Sequence, residues 1–209
     1  MPEKRPLYAM AFIDGQNLFQ HAMDAFGHYH PNYDPLKLHS AVCESQGWQS
    51  NLVRFYTGVP DAVRDPMWAG YWSNRVLAMK RAGIVVTTRP LRYREREAYN
   101  QNGELEKIVV PQEKGIDVRL ALDIVRLARL RQFDVAVLYS QDQDLNEIVE
   151  EVRDIGKAQE REIIIASAFP DSDSATYRRG VNKTQWVKID RPTYDACLDA
   201  KDYRPTQFR

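Results

Sequence analysis

The segment LYAMAFIDGQNL at Leu7–Leu18 decides the fold of this chain. Its first seven residues form a continuous apolar run, which is typical of a short strand buried on both faces of a sheet. Asp14-Gly15 ends that run, and the residues Asn17–Phe26 are predicted to be helical. A strand that leads directly into a helix is the unit from which parallel α/β sheets are built.

The rest of the chain repeats this alternation. Further strands are predicted at Asn51–Thr57, Ile84–Thr88, Phe133–Tyr139, Glu162–Ala168 and Gln185–Ile189. Further helices are predicted from Asp34-Pro35 to about Gln46, at Pro66–Ala82, at Gly115–Leu130, at Leu145–Gly156 and after Pro192. Strands that alternate with helices at this spacing favour a parallel sheet covered by helices on both faces.

One stretch breaks the pattern. Residues 89–113 are rich in charge, and Asn102-Gly103 lies between two partly alternating runs, which indicates a hairpin or an excursion from the sheet. We predict a single domain over residues 1–190, followed by a C-terminal helix and tail over residues 191–209. The tail from Lys201 is predicted to be mobile.

The composition limits the classes of protein to which the chain can belong. Its 29 basic and 29 acidic residues balance, so any phosphate-binding surface must come from a local patch. Cys43 and Cys197 have no metal-type spacing and fit a reducing cytoplasm. The start does not read as a signal peptide, and no run approaches the ~20 apolar residues that a membrane helix needs. We therefore expect a cytoplasmic protein without a membrane partner, and leave open whether it is a homo-oligomer.

Four aspartates lie in three short motifs that this topology brings together. The motifs are IDGQNL at Ile13–Leu18, KGIDV at Lys114–Val118 and SQDQDL at Ser140–Leu145. The carboxyl ends of parallel strands and the amino ends of the following helices share one edge of a sheet, so we expect a carboxylate cluster there. Its members are Asp14, Asp117, Asp142 and Asp144.

Clustered carboxylates repel one another unless a cation neutralises them. Oxygen ligands without a nearby His or Cys favour Mg²⁺ or Mn²⁺ over Zn²⁺, and such ions support phosphodiester chemistry. A simpler interpretation stays open, because aspartate is a common helix cap and Asp117, Asp142 or Asp144 could each serve as one. Asp123, further along the helix that begins at the KGIDV motif, is interpreted as a surface ion-pair partner.

Taken together, the three motifs resemble the NYN domain, a family of the PIN-like nuclease superfamily. The resemblance covers roughly Leu7 to Ala168. It implies a Rossmann-like three-layer α/β/α sandwich with a mainly parallel central sheet, and metal-dependent cleavage of RNA. By motif position the four aspartates match the family's catalytic, metal-binding aspartates, and Asn17 matches the asparagine after the first of them. Gln141 stands where the family usually has glycine.

Several polar and basic residues are candidate RNA contacts. Asn17 and Ser140 are either turn residues or substrate contacts, and Lys114 either contacts phosphate or is solvated. Two basic stretches contain interleaved aromatic residues, a pattern that suits backbone contacts and base stacking on single strands. From these stretches we predict phosphate contacts for Arg92, Arg94, Arg178 and Arg179, and a solvated helix face for Arg75, Lys80 and Arg81.

The leading hypothesis is an endoribonuclease that uses Mg²⁺ or Mn²⁺ to activate water for attack on single-stranded or structured RNA; cleavage of DNA stays open. The alternative is a catalytically weak or inactive RNA-binding adaptor, which Gln141 and the balanced charge motivate. A phosphatase of the haloacid-dehalogenase type is disfavoured because Gln16 stands where that site needs a second aspartate. A dinucleotide-binding enzyme is disfavoured because the first turn lacks the glycine-rich fingerprint.

Overall fold

A parallel six-stranded sheet forms the centre of the computed structural model, which describes residues 5–100 and 102–208. The strands of the chain are β1 (Tyr8–Asp14), β2 (Gln49–Val59), β3 (Val85–Pro90), β4 (Arg92–Tyr99), β5 (Leu105–Gln112), β6 (Val135–Tyr139), β7 (Ile164–Pro170) and β8 (Gln185–Ile189). The order across the main sheet is β3-β2-β1-β6-β7-β8, and each neighbouring pair is parallel. Residues 1–4, 101 and 209 of the predicted domain and tail lie outside the described part.

Helices cover both faces of this sheet. They are α1 (Gly15–Phe26), α2 (Pro35–Gln46), α3 (Pro66–Arg81), α4 (Ile116–Arg129), α5 (Glu147–Ala158) and α6 (Arg191–Ala196). Successive residues of a strand point to opposite faces, so Ala9, Ala11 and Ile13 of β1 join the core under α1 and α2. Met10 and Phe12 join the core under α4 and α5. The predicted α/β/α sandwich is confirmed.

Helix α2 shows how local sequence sets an element's ends. The Asp34 carboxylate accepts hydrogen bonds from the backbone N–H groups of Leu36 at 2.9 Å and Lys37 at 3.2 Å. Pro35 occupies the first turn, and Gly47 ends the helix in the left-handed conformation with a φ of 69°. Both ends agree with the sequence prediction. In the described ranges, no helix has the length and apolar character needed to cross a membrane.

Strands β4 and β5 form the predicted excursion, an antiparallel hairpin separate from the main sheet. Its turn is stabilised by Asn100, whose side-chain oxygen accepts hydrogen bonds from the N–H groups of Asn102 and Glu104, each at 2.9 Å. Gly103 takes the left-handed conformation with a φ of 77°. The hairpin returns the chain to the main sheet immediately before α4.

The prediction of a solvated Arg75 is wrong, because this side chain is only 2 % exposed. Its guanidinium donates to the Tyr71 hydroxyl at 2.7 Å and to the Tyr33 carbonyl at 2.8 Å. Aromatic rings surround the cation, including that of Tyr203 from the C-terminal tail. The tail was predicted to be mobile from Lys201, whereas Tyr203 is buried against α3. Cation–aromatic contacts between distant segments leave no periodic sequence signal.

Asp123 is an ion-pair partner as predicted, but it is not on the surface. It is only 1 % exposed, and its carboxylate accepts from Arg119 at 2.8 Å, from Arg54 at 3.1 Å and from the Tyr56 hydroxyl at 3.0 Å. Arg54 and Tyr56 belong to β2, which lies beneath α4. Burial follows from this long-range contact, which the helical pattern of α4 does not reveal.

Candidate active site at the carboxyl edge of the sheet

The site lies where the chain direction across the sheet reverses. β1 and β6 are neighbours, but the chain continues from β1 to β2 on one side and from β6 to β7 on the other. Asp14 is the last residue of β1, and Ser140 directly follows β6. Ligands of open α/β sheets bind in the crevice outside the strand ends at such a switch point.

Asp14 is held tightly in this crevice. Its side chain caps α1 by accepting a hydrogen bond from the Asn17 backbone N–H at 3.0 Å, and the residue is 7 % exposed. Burial raises the pKa of Asp14 to about 6, and the nearby charges of Asp142 and Asp117 contribute to the rise. The carboxylate is therefore costly to ionise in the absence of a counter-ion.

Asp117 and Asp142, whose charges act on Asp14, belong to different elements. Asp117 lies in the first turn of α4, after Gly115, which has a φ of 78°. Asp142 caps a short 3₁₀ helix at Gln143–Asn146 by accepting from the Asp144 N–H at 3.0 Å. Since both charges act on the pKa of Asp14, three of the four predicted aspartates share one electrostatic environment. Asp144 lies at the exposed rim of this group.

A fourth acidic group, Glu113, was not among the candidates. It lies between β5 and α4, and its carboxylate accepts a hydrogen bond from the backbone N–H of Gly58. Burial raises the pKa of Glu113 to about 7, with further contributions from the charges of Asp14 and Asp117. The hairpin places it here by returning the chain to the sheet edge. The only sequence signal for Glu113 as a site residue was its acidic side chain directly before the KGID motif.

Asp14 and Glu113 line one cleft of about 290 Å³. Its lining includes Asp14, Gln16, Asn17, Gln20, Gln112 and Glu113. Asp142 faces a second cavity of about 490 Å³ on the β6 side, and Asn17 lines both. Asp14 and Glu113 therefore border one cavity in the edge of the sheet, and Asp142 borders the other.

The donor chemistry fits a hard divalent cation. Within residues 5–100 and 102–208, no three His, Cys, Asp or Glu side chains are arranged as a finished metal-ligand set. However, the converging donors are all carboxylate oxygens, the ligands that Mg²⁺ and Mn²⁺ prefer. Burial is the largest cause of the raised pKa values of Asp14 and Glu113, and the charges of neighbouring carboxylates add to the cost of ionising them. A bound cation would remove that penalty.

Asn17 and Ser140 both hold the loop that follows β6. The Asn17 side-chain oxygen accepts from the Gln141 N–H at 2.9 Å. Ser140 is 2 % exposed, and its hydroxyl oxygen accepts from the Asp142 N–H at 3.2 Å. The Ser167 hydroxyl donates to the Ser140 carbonyl at 2.9 Å. These bonds fix the backbone that carries Asp142.

The predicted basic contacts lie in different settings. Arg178 donates to Asp171 at 2.9 and 3.1 Å and to Asp173 at 3.0 Å, so carboxylates already occupy its guanidinium. Arg179 donates to the Asn182 side chain at 2.8 Å and lines the second cavity. The remaining three are exposed: Arg92 opposite Gln112 at the hairpin base, Arg94 further out on β4, and Lys114 beside Glu113.

Arg89 at the end of β3 is a further cation near the site. Its Nη1 atom lies 3.4 Å from the position that a Cβ atom would take on Gly115. It therefore approaches the turn that leads to Asp117. The sequence placed Arg89 in a basic stretch, but only the pairing of β3 with β2 brings it beside α4.

A family model of the NYN domain matches residues 8–179. The chain belongs to the NYN domain family. The predicted resemblance is thereby confirmed, and with it kinship to the PIN-like nucleases. The NYN protein is similar in fold to a protein of unknown function from Vibrio parahaemolyticus, with a TM-score of 0.50 and 17% sequence identity over 91% of this chain and 98% of that chain.

A second solved structure, MurG from Acinetobacter baumannii, matches with a TM-score of 0.33 and 10% identity over 88% of this chain and 46% of that chain. A similarity this low supports no argument about the NYN protein. A search of curated proteins found no match.

Proposed function

We propose that this NYN protein is an endoribonuclease that hydrolyses RNA phosphodiester bonds with Mg²⁺ or Mn²⁺ as cofactor. The observation that carries the proposal is a group of four acidic side chains at the switch point, in which burial and neighbouring carboxylates together raise the pKa values of Asp14 and Glu113. They are Asp14, Glu113, Asp117 and Asp142. Membership of a family related to PIN-like nucleases supports phosphodiester chemistry over other uses of such a cluster.

These four carboxylates would hold the cation, with Asp144 at the rim contributing directly or through water. A bound cation would lower the pKa of a water molecule in the site and neutralise charge on phosphate oxygens. The protein's contribution is a rigid ligand geometry. Asp14 is fixed by the cap of α1, Asp142 by the cap of the 3₁₀ helix, and Glu113 by the Gly58 N–H.

The raised pKa values have a consequence for proton exchange. Glu113, with a pKa of about 7, and Asp14, with a pKa of about 6, each bind a proton within the range of ordinary working pH. A positive charge among them favours the ionised form, so cation binding releases these protons. The site is therefore expected to bind cations more tightly as pH rises from about 5 to 8.

Basic residues border the carboxylates and would position the RNA backbone. Arg89 approaches Gly115, Arg92 pairs with Gln112 of the cleft, and Lys114 directly follows Glu113. Arg179 lines the cavity on the β6 side. Phosphate contacts from such residues orient a strand without reading its sequence. In the proposal the strand passes from the hairpin base over the carboxylates towards Arg179. Arg94 would extend that surface. Arg178 is already bonded to Asp171 and Asp173, so it would contribute to the structure of the surface through these bonds.

The decisive experiment is cleavage of a pooled RNA set in Mn²⁺ by the wild type and by Asp14→Asn. The matched control is Asp154→Asn on the outer face of α5, where the carboxylate is exposed and pairs with Lys157. The proposal expects cleavage by the wild type and the control, with a loss of at least about 100-fold in Asp14→Asn. Equal activity of the wild type and Asp14→Asn would refute it.

The alternative is an RNA-binding adaptor without turnover, and the observation that favours it is the placement of Gln141. Its amide nitrogen donates to the carbonyl oxygens of Tyr177 and Arg179 at 3.1 and 2.8 Å. A glutamine side chain that holds the neighbouring segment in place is compatible with a protein that binds RNA without cleaving it. Tight RNA binding without Mn²⁺-dependent cleavage of any RNA in the pool would favour the adaptor.

A further inference from the structure

The hydrolysis proposed above assigns no ligand to the cavity on the β6 side of the carboxylates. It has a volume of about 490 Å³, which exceeds the space that a single nucleobase occupies. Its lining includes Asn17, His21, Gln141, Asp142, Tyr177 and Arg179. The cavity thus combines aromatic rings, an amide and a cation directly beside a proposed cation ligand.

The wall of this cavity is the segment 171–184, which joins β7 to β8 and is held by bonds from the site itself. Gln141 binds the carbonyl groups of Tyr177 and Arg179, as described above. The amide of Gln143 donates to the Gly180 carbonyl at 3.1 Å and accepts from the Asn182 N–H at 3.1 Å. A wall held in this way is formed before any ligand arrives, which lowers the entropic cost of binding.

The other end of the same wall is tied to α1. The Asp24 carboxylate accepts from the Thr176 N–H at 2.7 Å and from the Thr176 hydroxyl at 2.9 Å. These bonds hold the adjacent Tyr177 ring edge-to-face with His21, at a centroid distance of 6.0 Å and an interplanar angle of 84°. Tyr177 is 62% exposed, so its ring is open to stacking by a planar group.

Gln141 fixes the position of this wall. Because its Nε2 atom faces two carbonyl oxygens, the amide orientation is fixed and the remaining atom is the oxygen. Gln141 is 7% exposed, and its Oε1 atom has no hydrogen-bond partner among the described residues. This oxygen is closed to solvent, so Gln141 acts by holding the wall in place and does not contact a ligand in the cavity.

We propose that this cavity is a subsite for one unpaired nucleobase of the RNA next to the cleaved phosphate. The base stacks on Tyr177, while Arg179 contacts a neighbouring phosphate. The inference rests on the proposed nuclease function for its substrate, and it adds that the substrate must offer an unpaired base. A base held in a duplex cannot stack on a protein ring and stay paired. Single-stranded RNA is therefore preferred over double-stranded RNA.

The test separates binding from cleavage. Short fluorescein-labelled RNA is titrated with Asp14→Asn protein in EDTA, and fluorescence anisotropy reports the affinity without turnover. Adding Tyr177→Ala is expected to weaken single-strand binding about 5- to 100-fold, the effect of removing one base-stacking ring. Tyr177→Phe keeps the ring and should keep the affinity. Tyr29→Ala removes an 81% exposed tyrosine beyond the far end of α1 and should change nothing.

The same RNA annealed to its complement supplies the second arm, where binding should be weaker and insensitive to Tyr177→Ala. Arg179→Ala should weaken both forms and reduce the salt dependence of binding. The proposal is overturned if Tyr177→Ala, with an unchanged melting temperature, binds single strands as tightly as its parent. It is also overturned if the parent binds duplex as tightly as single strands, or binds neither.

Failure of the base subsite can be distinguished from failure of the nuclease assignment. Absence of Asp14-dependent cleavage removes the enzyme but leaves a Tyr177-dependent anisotropy signal intact. Asp14-dependent cleavage with no effect of Tyr177→Ala on binding removes the base subsite but leaves the enzyme.

Discussion

The Gln141 backbone N–H donates to the Asn17 side-chain oxygen over 2.9 Å, and this bond joins the two halves of the site. The Asn17 N–H in turn donates to the Asp14 carboxylate at 3.0 Å. One residue therefore connects the end of β1 to the loop after β6. The relative positions of Asp14 and Asp142 depend on this connection, since each lies on one of the two joined segments.

Asn17→Ala tests that connection. It removes the side-chain acceptor but keeps the backbone bond to Asp14, so we expect a stability loss of only about 1 to 2 kcal/mol. We expect a larger effect on cleavage, about 10-fold or more, because displaced ligands lose their common geometry. Urea unfolding and single-turnover cleavage measure the two effects. The control is Asn51→Ala, at an exposed asparagine on β2. A variant as active as the wild type would show that this connection does not set the geometry.

Asp14→Asn should stabilise the protein at neutral pH. The folded-state pKa of about 6 exceeds the ordinary value of 3.8, so ionisation of this carboxyl disfavours the folded state. The stabilising contribution of the protonated form is complete below about pH 4 and is lost as pH rises through about 6. Asparagine caps helices as well as aspartate does, so the cap of α1 is kept.

We therefore expect Asp14→Asn to gain about 1 to 3 kcal/mol at pH 7.5, and to gain nothing near pH 4. Urea unfolding in EDTA at the two pH values measures the gain, with Asp154→Asn as the surface control. A gain that is the same at both pH values would contradict the electrostatic explanation.

Glu113→Gln should weaken cation binding although the sequence motifs do not include this residue. The charge of Glu113 adds to the negative field of the cluster, and its removal leaves one oxygen ligand fewer. Calorimetric titration with Mn²⁺ should show affinity that rises between about pH 5.5 and 7.5 in the wild type, because protons leave Asp14 and Glu113 over that range. Glu113→Gln should flatten the pH profile. An unchanged profile would remove Glu113 from the site.

Gly58→Ala should have a larger effect on cleavage activity than on the stability of the fold. A Cβ atom at this position would lie 2.8 Å from Glu113 Oε2 and 2.3 Å from Leu91 Cδ2, so both side chains must move. These are the ends of flexible side chains, and we expect a stability loss of only about 1 kcal/mol. Displacement of Glu113 should lower the rate of cleavage at saturating RNA. The melting temperature and kcat together separate the two effects, and a normal kcat would contradict the prediction.

Asp123→Ala should be the most destabilising of these changes. It leaves Arg54, whose guanidinium is part-buried beside Tyr56, without its carboxylate partner. Removing one member of a buried ion pair costs about 3 to 5 kcal/mol, and the lower end applies here because Arg119 is partly exposed. The double variant Arg54→Met/Asp123→Leu should recover much of the loss in urea unfolding. No recovery would indicate that packing around Asp123 matters more than charge.

The sequence was sufficient wherever a short pattern determines the structure. The apolar run of β1 ending at Asp14 and the Asp34-Pro35 start of α2 are local signals, and both agree with the structure. The resemblance of the three motifs to the NYN domain was equally secure. Each motif lies where a strand ends or a helix begins, and the parallel topology determines where those points lie.

What the sequence did not reveal depends on contacts between distant segments. Glu113 is bonded to Gly58, which lies 55 positions earlier, and Asp123 to Arg54, which lies 69 positions earlier. The bonds from Gln141 to the segment containing Tyr177 also escaped the sequence analysis. That segment has no periodic pattern, so nothing in its residues indicates which loop it contacts.

The concentration of carboxylates at the sheet edge also couples two equilibria. A polyanion approaching Asp14 and Asp142 meets negative charge, and a bound cation would reverse that repulsion. Thermodynamic reciprocity requires that RNA then raise the affinity for the cation by the same factor by which the cation raises the affinity for RNA. The supply of free divalent cation would thus set how long the protein retains its RNA as well as how fast it cuts.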